Sequence, residues 1–313
     1  MKKTGWLLLL LATMAAAQQA TPDASGIIAT AANVPHVRYQ TPTAADMYCA
    51  GFVSRERIPN ANFVNGGLQT PGTTKFTNGE IVYLAGTGYQ VGQLYTILRE
   101  MRDVNEYEFY PGQRKLLASM GDTYADVGRV RVLDTRSHSA ITQVEFSCDP
   151  INPGDIAVPF VEKQMIAFRA PAHFDRFAPA NGKVSGRIAL GKDFDGFMGT
   201  GGKVYMNVGA NQGVKVGDYL RAVRTYTATL RDPVESISFM ASISDDTQKR
   251  PASFEGDFLT RTNGPNIHVG DLPRRAVGEV VVLSVTPTTS TGMIVFALED
   301  VHAGDGVELD EQP

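Results

Sequence analysis

Residues 127–133 read VGRVRVL, and residues 277–283 read VGEVVVL. The two stretches align without a gap at an offset of 150 residues. Further identities at this offset are Phe146 with Phe296 and Gly154-Asp155 with Gly304-Asp305. An upstream pair of segments, residues 82–99 and 204–224, is also similar. Self-similarity at a long period indicates a repeated structural unit, so we predict that one module was duplicated and that the chain carries two copies.

Each copy reads as a series of short strands separated by Gly, Pro and Asn. We predict strands over residues 80–84, 93–99, 127–133, 140–146 and 155–158, and over 203–208, 219–224, 277–283, 291–298 and 305–309. The alternation in the Val-Gly stretches predicts that their valines lie on one face. About five short strands per copy favour closure, which removes exposed strand edges. The predicted fold is mainly β, with two tandem small β-barrel modules, SH3-like or similar, carrying loop and helix insertions.

Each copy has an insertion between its second predicted strand and its Val-Gly strand. The first runs from about residue 100 to 126 and contains a predicted helix over 113–120, whereas the second, about 225–275, has no clear period. Insertions at one point of a repeated module fall on one face, often the binding face. We therefore expect the insertion face to carry any binding function.

The beginning of the chain predicts export. Residues 1–17 combine a basic start, a short apolar run and the small-residue end Ala15-Ala16-Ala17, which is the layout of a cleaved signal peptide. The alternative, a membrane anchor, needs about 20 apolar residues. We expect a mature protein that begins near Gln18 and is periplasmic or secreted. The predicted organisation is a flexible lead over 18–45, a first β-module over 46–160, a linker over 161–181 and a second β-module over 182–313.

Charge and cysteine usage agree with that compartment. The net charge is -4 with 20% charged residues, which gives no basic field for nucleic acid. The two cysteines, Cys49 and Cys148, most simply form a structural disulfide in an oxidising compartment; two free thiols or a reactive nucleophile are the alternatives. A bond would clamp the lead onto the first module and contribute about 4–5 kcal/mol in the chain-entropy model.

The sequence contains no complete catalytic, cofactor-binding or metal-binding motif, so we predict none of these sites. The segments 86–91 and 199–203 are incomplete dinucleotide and phosphate loops, and 193–196 is half of a calcium loop. The five histidines are isolated. Two acidic pairs, Glu106/Glu108 and Asp245/Asp246, could face each other across a cleft, or simply be solvated. An aromatic cluster in the first insertion could line a sugar or peptide groove or form a satellite core, and comprises Tyr107, Phe109 and Tyr110.

Several strings carry a resemblance to a known family. They are Tyr48-Cys49-Ala50-Gly51-Phe52, VYMN at 204–207, GVKVGD at 213–218, SCD at 147–149, FDRFAP at 174–179 and AGDGVEL at 303–309. Over residues 47–310 the chain resembles an uncharacterised family of exported proteins typical of acidobacteria. The unit at 204–218 is also similar to the C-terminal domain of flagellar assembly protein T, a periplasmic β-module. Copy one departs from that unit, because its turn is shorter and Gln93 replaces the Asp. The resemblance implies no catalytic residues.

Together these features predict a non-enzymatic secreted or periplasmic cell-envelope protein. We expect it to act as a binding or assembly module for a protein or wall component, with an envelope protein or a peptidoglycan component as its partner. One alternative is an envelope glycan hydrolase that uses a carboxylate pair. Another is a flagellum or pilus assembly factor.

Overall fold

The computed structural model describes residues 39–103, 108–167, 174–225 and 273–310, together with the backbone of 247–248 and 267–268. The predicted signal peptide and most of the predicted flexible lead lie outside these residues. Two α-helices, α1 and α2, span Ala44–Tyr48 and Gln113–Met120. The strands of the first half are β1 Phe52–Ser54, β2 Phe63–Gly67, β3 Ile81–Ala85, β4 Leu94–Met101, β5 Asp122–Arg136, β6 Ser139–Ser147 and β7 Ile156–Pro159. Those of the second half are β8 Ser185–Gly191, β9 Phe197–Met198, β10 Lys203–Met206, β11 Tyr219–Arg224, β12 Thr247–Gln248, β13 Ile267–His268, β14 Arg275–Val285, β15 Ser290–Ala297, β16 Val301–His302 and β17 Gly306–Leu309.

Two closed barrels of six antiparallel strands account for most of the strands. In the first, the order around the ring is β2-β3-β6-β5-β4-β7, and β7 pairs back onto β2. In the second it is β10-β15-β14-β11-β17-β8, and β8 pairs back onto β10. If each barrel's strands are numbered along the chain, both rings run first, second, fifth, fourth, third and sixth. The two predicted tandem barrels are therefore confirmed, and the duplication extends to the whole strand order.

Each barrel has six strands, one more than predicted from sequence. In both barrels the additional strand is the first one along the chain. The missed strands are β2, with the sequence FVNGG, and β8, with the sequence SGRIALG. Their glycines hide the β-type pattern but allow close packing. A Cβ added to Gly67 would lie 2.4 Å from the Phe76 ring, and one added to Gly186 would lie 2.4 Å from a methyl group of Val208. The predicted helix over 113–120 matches the bounds of α2.

The repeated glycine of the Val-Gly stretch lies where two strands come closest. A Cβ on Gly128 would lie 2.6 Å from the carbonyl oxygen of Phe146, and one on Gly278 would lie 2.5 Å from that of Phe296. The strand register shifts just after each glycine, which marks a β-bulge. The Gly and Phe identities of the repeat therefore fix the same bend in both barrels.

A second set of repeated identities forms an ion pair in each barrel. Arg99 donates Nε and Nη2 to the two carboxylate oxygens of Asp155 at 2.8 and 2.7 Å. Arg224 makes the same two bonds to Asp305, both at 2.9 Å. Each carboxylate also accepts a backbone N–H from three residues upstream, at 2.7 and 2.8 Å. The repeated Gly-Asp identities therefore mark turns that hold an arginine through two hydrogen bonds, here called an arginine clamp.

The barrels differ in how their Val-Gly strands are buried. In β5, Val127, Val130 and Val132 fill the first core while Arg131 is exposed, so the predicted alternation is confirmed there. In β14 the prediction is wrong, because Val280–Leu283 are all buried. Val280 and Val282 face the second core, whereas Val281 and Leu283 pack in a separate cluster outside the barrel. Something must cover that outer face, and residues upstream of the first barrel do so.

Candidate binding cleft at the junction of the barrels

Residues 46–54, here called the bridge segment, contact both barrels. On one side, Met47 and Ala50 pack in the outer cluster of the second barrel with Val281, Leu283 and Val295. On the other side, β1 pairs with β5 of the first barrel. The bridge segment therefore holds the two modules together. It lies outside the repeated segments, so the repeat did not indicate this role.

Threonine side chains of the second barrel fix the backbone of the bridge segment. Thr291 donates its hydroxyl to the Gly51 carbonyl at 2.9 Å, and Thr289 donates to the Val53 carbonyl at 2.5 Å. Both threonines are about as buried as the core, with 1% exposed. These hydrogen bonds satisfy carbonyl groups that the single pairing of β1 leaves open.

Gly51 of the bridge segment lies in close contact with residues of both barrels. Its φ of +69° lies in the left-handed region, which glycine adopts without steric cost. A Cβ there would lie 2.6 Å from the hydroxyl of Tyr205 and 2.7 Å from the carbonyl oxygen of Tyr124. Its N–H donates to the carboxylate of Asp126 at 3.1 Å. A side chain at this position would push the two modules apart.

The predicted disulfide is confirmed. Cys49 and Cys148 are joined with an S–S distance of 2.06 Å across 99 residues of sequence. Cys148 directly follows β6, so the bond ties the bridge segment to the first barrel, as expected. The two alternatives, free thiols and a reactive nucleophile, are wrong.

The described part of the first insertion packs on the second barrel. Gln113 donates its amide to the carbonyl oxygen of Ala189 in β8 at 2.9 Å. Leu116 and Leu117 of α2 pack against a cluster that includes Tyr205. Phe109 meets Phe197 edge to face with ring centroids 6.1 Å apart. The insertion therefore contributes to the junction instead of presenting an open binding face.

The aromatic residues proposed for a groove form a satellite core where the structure describes them. Tyr110 is 2% exposed and lies under the guanidinium of Arg187, 5.5 Å from its ring centroid. Burial raises the pKa of its hydroxyl to about 12. Phe109 is half-buried, and Tyr107 lies outside the described residues.

A cleft of 360 Å³ opens at the junction, beside the bridge segment. The lining comes from strands β4 to β7 of the first barrel, from the bridge segment and residues 160–163, and from residues 284–286 of the second barrel. The lining residues are Tyr48, Phe52, Ile58, Thr96, Leu98, Asp126, Gly128, Arg129, Phe146, Val158, Pro159, Phe160, Val161, Lys163, Ser284, Val285 and Thr286. The cleft is mainly apolar, and its three charged side chains come from the first barrel and the segment that follows it.

Asp126 and Lys163 form the buried polar end of the cleft. Asp126 is 4% exposed, and its carboxylate accepts from Gly51 N–H and from the Lys163 ammonium at 3.4 Å. Lys163 also donates to the Met47 carbonyl at 2.7 Å. Burial raises the pKa of Asp126 above its ordinary value, and Lys163 and the Gly51 N–H only partly oppose that shift. Together the pair joins β5, the bridge segment and the residues after β7.

Arg129 lines the cleft from β5 and stacks on aromatic rings. Its guanidinium carbon lies 4.9 Å from the Phe160 ring centroid and 5.8 Å from that of Tyr48. Its Nε lies 3.4 Å from a carboxylate oxygen of Glu145. That nitrogen is buried and has no hydrogen-bond partner among the described residues. The Ser284 hydroxyl, on the opposite wall, is likewise buried without a partner in the described part of the chain.

A second cavity of 580 Å³ lies on the other side of Lys163. It shares Lys163, Ser284 and Val285 with the cleft. Its rim includes Met165 and Val216, which are 53% and 48% exposed. The two cavities therefore share the wall around Lys163.

Only one residue of the two candidate carboxylate pairs, Glu108, lies among the described residues. Glu108 accepts the backbone N–H groups of Arg114 at 2.9 Å and Gly112 at 3.3 Å, so it supports the turn into α2. Glu106, Asp245 and Asp246 lie outside the described residues. Within the described ranges, no three His, Cys, Asp or Glu side chains lie close enough to hold a metal ion. None of the helices in the described part of the chain combines the length and hydropathy that a membrane span needs.

The cleft residues were not recognised from sequence, because sequence patterns are local and the cleft forms only where distant segments of the chain meet. Asp126 was visible as an acidic residue directly before the Val-Gly stretch, at the position where copy two has Ala276. Lys163 and Ser284 stand in unremarkable surroundings and meet Asp126 and Arg129 only through the packing of the two barrels. No protein-family model matches this chain, and no curated protein matches it. The resemblances stated above therefore stay predictions.

Proposed function

We propose that this chain is an exported, non-enzymatic binding protein of the cell envelope, and that its ligand occupies the junction cleft. One observation carries the proposal: a 360 Å³ cleft with mainly apolar walls and a few converging charged groups at the meeting point of two rigid barrels. Small-ligand sites are typically concave and apolar with few polar groups, and they often lie between modules.

Export is supported by the sequence of residues 1–17 and by the disulfide. The first is typical of a secretory signal. The second joins the only two cysteines of the chain, and disulfides persist mainly in oxidising compartments outside the cytoplasm. Cys49 also adjoins Tyr48 of the cleft wall, so the bond stabilises the site itself.

Binding is favoured over catalysis by the composition of the cleft. Among the described residues, its lining contains one carboxyl group, Asp126, and neither histidine nor cysteine. A catalytic acid, base or nucleophile has to be accessible to the substrate. Asp126 is instead bonded to Gly51 and Lys163, which are structural partners.

The chemistry of the cleft walls limits the class of ligand that can bind. An envelope protein or a peptidoglycan component is the partner predicted from sequence. The aromatic and aliphatic lining favours the apolar part of an envelope component, because buried polar groups of a ligand need hydrogen-bond partners and the walls offer few. The junction, assembled from both barrels, also explains why one module alone would be insufficient.

The neutral fluorescent probe N-phenyl-1-naphthylamine tests this proposal. We expect it to bind the mature protein at one site and to be excluded by Val158→Trp, since Val158 lines the cleft. At least a tenfold loss of affinity is expected. The matched control is Val91→Trp, because Val91 is 65% exposed and lies outside the lining. Absence of probe binding to the wild type, or equal loss in both variants, would refute the cleft as the binding site.

A further inference from the structure

We infer that the ligand of the junction cleft is a hydrocarbon chain ending in a carboxylate, as in a free fatty acid, and that Arg129 receives the carboxylate. The inference rests on the proposed function, since it assumes that the cleft binds an apolar ligand. It adds the chemical class of that ligand and the residue that recognises it.

Arg129 is held in place without using its hydrogen-bonding capacity. The faces of its guanidinium pack over Phe160 and Tyr48, a stacking that arginine supports and that leaves its in-plane N–H groups available. Its Nε is buried without a hydrogen bond among the described residues, and its side chain lines the cleft. A planar, stacked arginine with open donors is suited to a carboxylate, which it can bind through two parallel hydrogen bonds.

The charge balance of the cleft favours an anion. The lining holds two cations, Arg129 and Lys163, against one anion, Asp126. Lys163 and Asp126 are paired with each other. The nearest carboxylate to Arg129 is that of Glu145, which also pairs with Arg131. Arg129 and Arg131 therefore share one carboxylate, which leaves a net positive charge on the Arg129 side of the cleft, and an ammonium group there would be repelled.

The rest of the cleft favours a hydrocarbon chain over a peptide or a sugar. The surface that its walls expose is mainly apolar, and Phe52, Leu98, Val158 and Phe160 contribute to it. Amides or hydroxyl groups buried there would lack partners, which is costly. The unpartnered hydroxyl of Ser284 offers one further donor. A ligand with a single polar end satisfies this arrangement.

Competition against bound N-phenyl-1-naphthylamine separates these possibilities. The competitors are decanoate, 1-decanol and decylamine, each below its aggregation limit, at pH 7. We expect decanoate to displace the probe at a concentration at least tenfold lower than decanol, and decylamine to be the weakest. Arg129→Gln should remove the preference for decanoate, so that decanoate and decanol displace the probe at similar concentrations. The matched control is Arg136→Gln, since Arg136 lies on the same strand, pairs with Asp134 at the surface and is outside the lining.

The outcomes distinguish this inference from the proposed function. Equal displacement by decanoate and decanol in the wild type, or equal loss of preference in both arginine variants, would overturn the carboxylate inference while probe binding still supports the cleft. Failure of the wild type to bind the probe would overturn both. If thermal melting shows that Arg129→Gln is unfolded, Arg129→Lys replaces it. Arg129→Lys keeps the charge without the planar fork, so it should lose most of the preference but not all of it.

Discussion

The two barrels share one frame but differ on the outer face of the hairpin between their fourth and fifth strands. In the first barrel this face carries Arg131 and Glu145, which form an ion pair at the surface. At the equivalent positions the second barrel has Val281 and Val295, both fully buried under the bridge segment. The same strand frame therefore carries a charged surface in the first barrel and, in the second, an apolar surface on which the bridge segment packs.

The difference explains why the valine run of β14 does not alternate. A strand with one face in a core and one in water alternates apolar and polar residues, whereas a strand buried on both faces is continuously apolar. The VVVL string of β14 is of the second kind because Met47 and Ala50 cover its outer face. Strand β5 keeps Arg129 and Arg131 outside, and one of these, Arg129, reaches the cleft.

Exchanging the residues of the two faces should have the largest effect. Val295→Glu places a carboxylate under the bridge segment without a partner, and we expect it to lower the free energy of unfolding by about 3–5 kcal/mol. The reverse exchange, Glu145→Val, removes only exposed ion pairs and should cost at most about 1 kcal/mol. Urea unfolding followed by circular dichroism measures both. Similar costs for the two variants would show that the outer face of the second barrel is not buried.

The shared arginine clamps allow a finer comparison. Asp305→Ala leaves the guanidinium of Arg224, 8% exposed, without its main partner, and should cost about 2–3 kcal/mol. Asp155→Ala should cost less, about 1–2 kcal/mol, because Arg99 is 27% exposed and can turn to water. Asp134→Ala is the control, since its pair with Arg136 is exposed and should contribute little. A larger loss from Asp155→Ala than from Asp305→Ala would contradict the burial argument. Thermal and urea unfolding provide the values.

The repeated frame could be predicted from sequence because its causes are local and occur twice. Gly128 and Gly278 stand at equivalent bulges, and Asp155 and Asp305 at equivalent turns. Identity at a fixed offset therefore pointed to a shared barrel, and export context with two cysteines pointed to the disulfide. The glycine-rich first strand of each barrel was not predicted. Its glycines pack closely because they have no side chain, and they leave no alternating apolar pattern in the sequence.

The candidate site could not be predicted because it depends on what differs between the copies and on how the modules meet. Asp126 and Arg129 occupy positions where the second copy has Ala276 and Glu279. Lys163 belongs to the predicted linker, and its ammonium reaches Asp126 only because the chain turns back along the bridge segment. Nothing in the local sequence of these residues distinguishes them from solvated charges.

Two carboxylate–lysine pairs attach the bridge segment to the two barrels, and they should respond to pH in opposite directions. Asp46 accepts from Lys203 of the second barrel at 2.5 Å. Burial acts to raise the pKa of Asp46, but hydrogen bonds from Lys203 and Thr43 outweigh it and hold the pKa below its ordinary value. Asp126, paired with Lys163 beside the first barrel, has its pKa raised by burial.

The smallest expected effect on stability follows from the opposite directions of these two pKa shifts. A lowered folded-state pKa means that the stability contributed by Asp46 is present above its unfolded pKa of about 3.9 and is lost as pH falls through the folded-state pKa. Asp46→Asn should therefore cost about 1 kcal/mol at pH 7 and close to nothing at pH 3. For Asp126 the sign is reversed, because its contribution is lost as pH rises through the raised pKa. Relative to the wild type, Asp126→Asn should thus lose stability as the pH is lowered, whereas Asp46→Asn should gain it. Urea unfolding of the wild type and the two variants at pH 7 and pH 3 measures these differences in the free energy of unfolding. If both variants change in the same direction between the two pH values, the opposite pKa shifts of Asp46 and Asp126 are refuted.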